Sequence, residues 1–450
     1  MRFSDLNGKK VALFGLGREG YSFINLWLAR KPKASLTILD ETTSQSDQKA
    51  NQELASSHNF EYITGNNVSP ALSSFDVVIK SPGISKYRSD IINAKEKGTK
   101  FSSLVDLWFS ENNNPNIIAI TGTKGKSTTS SLTVHLLNAL GKKTTLAGNI
   151  GIPLFSDLSQ DLNSTAWVVE LSSYQATEIS TSIPYAMLLN LYPEHTNWHG
   201  SVTQYYQDKL NIFRQQNNDA KCIINGSDPN TALYKDDFKN PTLFNTKTSI
   251  HVADDYFYDG EKKLFSISIS PLLGQHNAHN ICAALTVISL LGFDVLDTAE
   301  ALKSFTGLHH RLEFIGEKNE IKFIDDSIST IPQAALAALN AFKGSPTTLL
   351  LGGQKRAQEW DAFANAIQND PPYAIITMPS NGNEIAKTLR DFHLKNTIIY
   401  EAKDLQDGVK KAKEITPKGG TVLLSPAAPS YDHFKNFEER GECFKQFALE

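Results

Sequence analysis

The sequence predicts an α/β protein of three domains. Short apolar runs alternate with helix-length amphipathic segments from end to end, the rhythm of doubly wound parallel sheets. Two glycine-rich turns each separate a strand from a helix, and 450 residues exceed what one hydrophobic core usually organises. Hydrophobic residues at 40% and charged residues at 20% suit a globular chain and exclude a disordered or fibrous one. The net charge of −4 leaves no positive excess for a phosphate backbone, so nucleic acid is not an expected partner. Three widely spaced cysteines, Cys222, Cys282 and Cys443, form neither a metal spacing nor a disulfide framework and point to a reducing compartment. The first residues have the wrong order for a signal peptide and no stretch approaches a membrane span, so a cytoplasmic protein is expected.

Residues 11–14 read as a buried strand that runs into Gly15-Leu16-Gly17-Arg18-Glu19-Gly20 and a helix carrying Tyr21, Ile24, Leu26 and Trp27. Strands at 35–39, ending at Asp40, and at 75–79, ending at Lys80-Ser81-Pro82-Gly83, make the N-terminal domain (1–106) Rossmann-like. The polar run 110–116 is expected to be a linker or surface loop. A strand at 116–121 then enters the glycine loop 122–126, and the helix after it, with Leu132, Val134, Leu136, Leu137 and Leu140, should stop at Gly141. Strands at 166–170, 186–191 and 221–225 and a helix at 278–291 complete a central P-loop ATPase domain with a parallel sheet (107–307). Strands at 321–325, 348–352, 373–377, 397–400 and 421–424, separated by helices, give a Rossmann-like C-terminal domain (308–450).

The most specific string is Gly122-Thr123-Lys124-Gly125-Lys126-Ser127-Thr128, between a strand and a helix. Glycines let backbone N–H groups turn onto phosphate oxygens, the helix N-terminus adds partial positive charge, Lys126 neutralises β/γ oxygens, and Ser127 can ligate Mg²⁺. Its spacing is shorter than the common nucleotide loop, with the first glycine three residues before Gly125 instead of five. The blander reading, a glycine-bounded helix start with a solvated lysine, explains fewer of these residues. Gly15 to Gly20, followed by Asp40, meets the criteria for a dinucleotide fingerprint, but a tight turn that binds nothing fits the same spacing.

Glu170 ends an apolar strand, where a carboxylate could hold Mg²⁺, and Ser172 and Gln175 follow it. Glu194, His195 and His199 suggest a metal, yet zinc is disfavoured because no His-Glu-x-x-His order exists and Pro193 opposes a helix. His195 assisting Mg²⁺ is the better functional reading, beside that of a hydrogen-bonded loop histidine. By spacing alone Lys209 is a solvated helix lysine, and 275–280 is a helix start capped by Asn277.

The 122–128 loop, Gly148-Asn149-Ile150-Gly151, Glu170-Leu171-Ser172-Ser173-Tyr174-Gln175, His276-Asn277-Ala278-His279-Asn280 and His310-Arg311 together resemble the Mur ligases in order and separation. The resemblance covers nearly the whole chain. The tail from Leu424 to Gly441, with Ser425-Pro426 and Asn436-Phe437-Glu438-Glu439-Arg440-Gly441, resembles the branch that adds glutamate to UDP-N-acetylmuramoyl-L-alanine. It implies an ATP-dependent ligase of peptidoglycan precursor synthesis, most simply a monomer, acting through an acyl phosphate. It further implies UDP-substrate contacts from Gly17, Arg18, Glu19, Asp40, Glu41, Ser81, Gly83, Asn149, Ser172 and Gln175. ATP would meet Gly122, Thr123, Lys124, Gly125, Lys126, Ser127, Thr128, Asn280, Arg311 and Asp326. Two Mg²⁺ ions would be served by Ser127, Glu170, His195 and a carbamylated Lys209, with Lys126, Glu170, His195 and Lys209 forming the catalytic set. Glutamate would meet Thr330, Arg356, Ser430 and Phe437.

The sequence departs from that pattern in informative places. Glu194-His195 replaces an Asp-His pair and Asn197 stands where Asp is common. More substantially, Asp325-Asp326-Ser327-Ile328-Ser329-Thr330-Ile331 replaces an Asn-Asp-Ser-Lys-Ala-Thr-Asn run, and Arg356 stands where a lysine grips the glutamate carboxylate. Changes confined to the amino-acid pocket, with the ATP loop kept, favour L-glutamate over D-glutamate. The D-glutamate reaction and a nucleotide-binding regulatory module without ligase activity are the alternatives.

Overall fold

The computed structural model describes residues 1–42, 45–152, 154–155, 164–272, 274–355 and 360–450. They form two compact units, Met1–Phe305 and Thr306–Glu450.

The first unit contains two parallel sheets. The N-terminal sheet comprises β1 (Lys10–Phe14), β2 (Ser35–Asp40), β3 (Glu61–Thr64), β4 (Val77–Lys80) and β5 (Lys100–Ser103), in spatial order β3-β2-β1-β4-β5. Val11, Ala12, Leu13 and Phe14 are all fully buried, as a strand covered by helices on both faces requires. β1 delivers the chain to Gly15, and the helix Arg18–Arg30 follows. A Cβ on Gly20 would stand 2.7 Å from the Gly15 carbonyl oxygen, so only glycine lets that helix start so close to the strand.

The second sheet comprises β6 (Ile117–Thr121), β7 (Thr144–Gly148), β8 (Ala166–Glu170), β9 (Tyr185–Leu188), β10 (Lys221–Asn225) and β11 (Thr242–Phe244). Its order is β11-β10-β9-β6-β8-β7, all parallel. The helices Lys126–Ala139 and Gln275–Leu290 cover one face through Leu132, Leu136, Leu137, Ile281 and Leu285. The other face continues into the N-terminal sheet's core, where Trp108 and Trp167 meet edge to face at 5.2 Å. An antiparallel meander, β12 (Ile250–Ala253), β13 (Tyr256–Asp259) and β14 (Lys262–Ser266), adds to this unit.

A buried ion pair ties the end of β4 to the segment that follows β8. Lys80 Nζ lies 2.9 Å from a Glu178 carboxylate oxygen and donates to the Ile84 carbonyl at 2.7 Å. Neither charge has water to fall back on, so removing one strands the other. Lys80→Met is expected to destabilise the first unit by about 3 kcal/mol, read from its denaturation midpoint.

The second unit is built on β15 (Glu313–Lys318), β16 (Ile321–Asp325), β17 (Thr347–Gly352), β18 (Ala374–Met378), β19 (Ile398–Glu401) and β20 (Thr421–Leu424). The order is β15-β16-β20-β17-β18-β19, parallel except for β15 against β16. Helices Pro332–Asn340, Trp360–Ile367 and Gly382–Asp391 cover one face, and Leu405–Ile415 and Phe437–Leu449 the other.

Two sequence expectations are corrected. Ser110 and Glu111 belong to the helix Leu104–Glu111, so the connection is only 112–116; Ser110 is buried and Glu111 is held by Arg30 and the Phe3 N–H. The strand expected over 186–191 ends at Leu188, because Asn190 turns its side chain to the glycine loop.

Candidate active site

The glycine loop leaves β6 at its carboxyl end, where open α/β sheets bind ligands. Gly125 caps the helix Lys126–Ala139 at φ +83°, and a Cβ there would collide with Asn280 Oδ1. The positive φ is what calls for glycine here. Asn190 shapes the loop: its Oδ1 accepts from the Thr123 and Lys124 N–H groups at 3.1 and 2.8 Å, and its Nδ2 donates to the Lys124 carbonyl at 3.0 Å. Thr123 Oγ1 lies 3.0 Å from the Tyr205 hydroxyl. Neither Asn190 nor Tyr205 carried a role in the sequence reading; the signal for Asn190 was its place just after a strand beside the glycine-loop strand.

Lys126 Nζ donates to the carbonyls of Gly122 and Thr123, both at 3.0 Å, so its ammonium is folded over the loop. Ser127 is buried at the helix start and Thr128 half-buried. Lys124 points outward and pairs with Glu194. Asn280 is buried against the loop and donates to Asn277 Oδ1 at 3.2 Å.

Glu170, at the end of β8, is fully buried. Its Oε1 accepts from Asn149 Nδ2 at 2.7 Å, while Oε2 has no hydrogen-bond partner. A buried carboxylate oxygen without a donor is costly, and a bound cation would relieve it. His195 sits at φ +52° with its side chain 47% exposed, its ring 5.1 Å from that of Tyr174. Burial, assisted by Lys209 and Lys126, lowers its pKa against the opposing pull of Glu194, which favours the neutral imidazole that ligates metals.

Lys209 is the largest departure from expectation. Its spacing suggested solvent, yet it is 1% exposed and donates to the Gly122 carbonyl at 3.0 Å. Burial, reinforced by Lys126, pushes its pKa well below the ordinary lysine value. His199 is excluded as a second zinc ligand beside His195. Its Nδ1 meets Asp208 Oδ2 at 2.6 Å and its Nε2 meets Ser173 Oγ at 3.0 Å, so both nitrogens are in use.

The same unit joins this centre to the first glycine turn. Ser172 and Gln175 form a capping box, and Gln175 Nε2 donates to Glu19 Oε1 at 2.7 Å. Ser81 Oγ donates to the Gly15 carbonyl at 2.6 Å, and Trp198 Nε1 donates to the Gly83 carbonyl at 3.1 Å. Asp40 accepts from Asn51, Tyr62 and the Thr42 N–H, while Glu41 holds Arg88 in a two-point pair. Gly17 caps the helix Arg18–Arg30, and the Arg18 side chain lies outside the described residues.

The second unit groups the remaining predicted residues around β16. His310 Nδ1 meets Asp325 Oδ2 at 2.7 Å, and the Ile328 N–H donates to the His310 carbonyl. This unpredicted pairing anchors the His310-Arg311 turn to the 325–331 segment. His310, Glu313 and Asp325 bring ligand atoms within 4.8 Å of one another, but their hydrogen bonds account for the grouping. Arg311 and Thr330 are exposed, Ser430 is buried, and the Phe437 carbonyl accepts from Ser327 Oγ at 2.8 Å. Arg356 lies outside the described residues.

Asp326 accepts from Ser425 Oγ at 2.6 Å, yet burial raises its pKa from 3.8 to about 7, against the opposing effects of Ser425 and Arg311. Unfolding releases the carboxyl to ionise at its ordinary pKa. The contribution of Asp326 to stability is therefore fullest below about pH 4, falls as pH rises from about 4 to about 7, and is level above that, by roughly 1.4 kcal/mol per unit of separation. Asp326→Asn should flatten this slope in denaturation of the second unit measured from pH 4 to 8.

Comparisons with known proteins identify the family. Residues 9–103 match the Mur ligase MurD-like N-terminal domain, 120–288 the Mur ligase middle domain, and 310–428 the Mur ligase glutamate ligase domain. The chain is 37% identical to a protein of Xanthomonas axonopodis pv. citri named UDP-N-acetylmuramoyl-L-alanine--L-glutamate ligase, over 100% of this chain and 97% of that one. A protein of the same name from a Micromonospora species is 34% identical over 99% of this chain and 98% of its own length. Among solved structures, MurC of Thermotoga maritima (TM-score 0.55, 18% identity, 97% of this chain and 98% of that one) shares the fold. So does MurF of Acinetobacter baumannii (TM-score 0.59, 16% identity, 97% and 90%). The chain belongs to the Mur ligase family.

Proposed function

We propose that this chain joins L-glutamate to UDP-N-acetylmuramoyl-L-alanine in peptidoglycan precursor synthesis, using ATP and releasing ADP and phosphate. The observation that carries this is identity of 34–37% along essentially the whole chain with relatives named for that reaction. The replaced 325–331 segment, in a sequence that keeps its phosphate loop, supports the choice of L-glutamate.

A carboxylate is a poor electrophile, so ATP must activate it. An oxygen of the alanyl carboxylate attacks the γ-phosphorus, the bond to ADP breaks, and an acyl phosphate forms. The glutamate amine then attacks the acyl carbon, and the tetrahedral adduct expels phosphate with loss of a proton. Lys126 counters charge on the transferring group. The partnerless Glu170 Oε2, the buried Ser127 and the neutral-leaning His195 fit Mg²⁺, which would lower the charge of the phosphates. Lys209 fits carbamylation: a neutral buried amine can add to CO₂, losing a proton and becoming an anionic oxygen ligand.

In this reading residues 1–106 hold the UDP substrate, through Gly17, Arg18, Glu19, Asp40, Glu41, Ser81 and Gly83, joined by Asn149, Ser172 and Gln175. Residues 107–307 hold ATP, and 308–450 supply Arg311 and Asp326 to ATP and Thr330, Arg356, Ser430 and Phe437 to glutamate. We take the protein to be a cytoplasmic monomer; among the described residues no helix is long and apolar enough to cross a membrane.

The test is phosphate release by the full chain with ATP, Mg²⁺ and UDP-N-acetylmuramoyl-L-alanine, comparing enantiopure glutamates. L-Glutamate should be turned over at least tenfold faster than D-glutamate. The reverse preference would overturn the amino-acid assignment, and silence with both would overturn the reaction.

A further inference from the structure

Asp208 holds a buried junction in the first unit to which the proposed reaction gives no role. It lies on the helix Val202–Arg214 and is 4% exposed. Its Oδ1 accepts from the Tyr87 hydroxyl at 2.6 Å, the Thr177 hydroxyl at 2.7 Å and Gln204 Nε2 at 3.1 Å, with Lys86 Nζ at 3.5 Å. Its Oδ2 meets His199 Nδ1 at 2.6 Å, and His199 Nε2 meets Ser173 Oγ at 3.0 Å. An ionised carboxylate accepts at both oxygens, whereas an amide of the same size would turn an NH₂ group onto one set of these donors.

Two of these partners, Lys86 and Tyr87, belong to the 81–88 loop that leaves the carboxyl end of β4. The loop is pinned again on either side of them: Ser85 Oγ donates to the Trp198 carbonyl at 3.0 Å, Lys86 Nζ to the Thr177 carbonyl at 3.2 Å, and Trp198 Nε1 to the Gly83 carbonyl at 3.1 Å. Ser173, at the far end of the His199 bridge, opens the short helix whose capping box is made by Ser172 and Gln175. Asp208 therefore ties the 81–88 loop to the 172–175 turn. One residue further along the same helix, Lys209 donates to the Gly122 carbonyl at 3.0 Å. Consecutive residues thus hold the 81–88 loop and the phosphate loop in register.

We infer that Asp208 is a positioning residue for the UDP substrate, holding the 81–88 loop and the 172–175 turn at the separation from which both contact it. That role rests on the proposed function, in which Ser81, Gly83, Ser172 and Gln175 meet this substrate. Walls fixed beforehand spare binding the cost of ordering a loop, so affinity is gained at the junction without a direct contact. Alignment matters to the chemistry as well, because the alanyl carboxylate has to reach the γ-phosphorus, and a misplacement of about 1 Å can cost about a hundredfold in rate. Asp208 acts through Lys86, Tyr87 and His199.

The experiment is calorimetric titration of the full-length chain with UDP-N-acetylmuramoyl-L-alanine and, separately, with ADP and Mg²⁺, so that binding is read without turnover. Asp208→Asn should weaken the UDP substrate at least tenfold and change ADP less than twofold. Tyr87→Phe removes one hydroxyl from a side chain 38% exposed and keeps its ring against Trp198; it should weaken the UDP substrate at least threefold, again sparing ADP. The double variant should bind like Asp208→Asn alone, because both changes act through one junction. A merely structural junction would lower the thermal midpoint and leave substrate affinity as it was. That result, an equal loss of both ligands, or additive losses in the double variant would each overturn the role. Should Asp208→Asn fail to fold, the Tyr87→Phe titration decides. A wild type that does not bind the UDP substrate would overturn the proposed function itself, whereas tight wild-type binding matched by the variants would overturn only the role of Asp208.

Discussion

Lys126→Met is expected to lower phosphate release roughly a thousandfold, equivalent to about 4 kcal/mol of transition-state stabilisation, while leaving the fold intact. The side chain's hydrogen bonds run to the Gly122 and Thr123 carbonyls of its own loop. Those oxygens lose a donor, whereas the Asn190 contacts that hold the loop's backbone remain. The measurement is steady-state phosphate release at saturating ATP, with the thermal midpoint as the control for folding. Unchanged turnover would remove Lys126 from the phosphoryl-transfer step. A large fall in midpoint would instead make it a structural strut of the loop.

Lys209→Met is expected to cost at least a hundredfold in activity for only about 1 kcal/mol of stability, the usual net worth of one hydrogen bond. Methionine nearly matches the buried aliphatic volume and loses the donation to the Gly122 carbonyl. The activity loss has a chemical origin that a second measurement isolates. Burial keeps the amine neutral enough to combine with CO₂, and carbamate formation releases a proton. Wild-type activity should therefore fall when CO₂ is stripped from the buffer and on acidification, and recover on adding bicarbonate. The methionine variant should ignore bicarbonate. Wild-type activity that is indifferent to CO₂ would exclude the carbamate and leave Lys209 as a buried amine holding the Gly122 turn.

How far the site was legible depends on the range of the interactions involved. Gly20, Gly122 and Gly125 could be read directly, because a Cβ on Gly20 would crowd the Gly15 carbonyl five residues back and the loop holds Gly122 and Gly125 at positive φ. Glu170 was likewise readable as a carboxylate at the end of an apolar strand, and the structure adds that one of its oxygens is unpartnered. Lys209 was not. Its charge argues for a solvated face, although Tyr205, Lys209 and Phe213 fall in one i, i+4, i+8 row, and the whole row is buried. The signal was present in the helical period, and the lysine's charge argued against it. The connection at 110–116 is shorter than its polarity suggests for a related reason. Local polarity favoured a loop, but a partner some eighty residues away, Arg30, retains Glu111 in the helix.

Asn190 against the phosphate loop spans 66 residues, Gln175 to Glu19 spans 156, and Arg440 to Ser327 spans 113. No local pattern encodes such pairings, since they follow from which strand ends the sheet order brings together. The sequence by itself determined the α/β class, the position and chemistry of the phosphate loop, and the replaced segment at 325–331. Those depend on short-range sterics and on residue type. Only the tertiary structure decided that Lys209 is dry, that His199 is engaged by Asp208 and Ser173, and that Arg440 keeps one donor unpaired. Burial and hydrogen-bond satisfaction are properties of the packed assembly, set by neighbours remote in the chain.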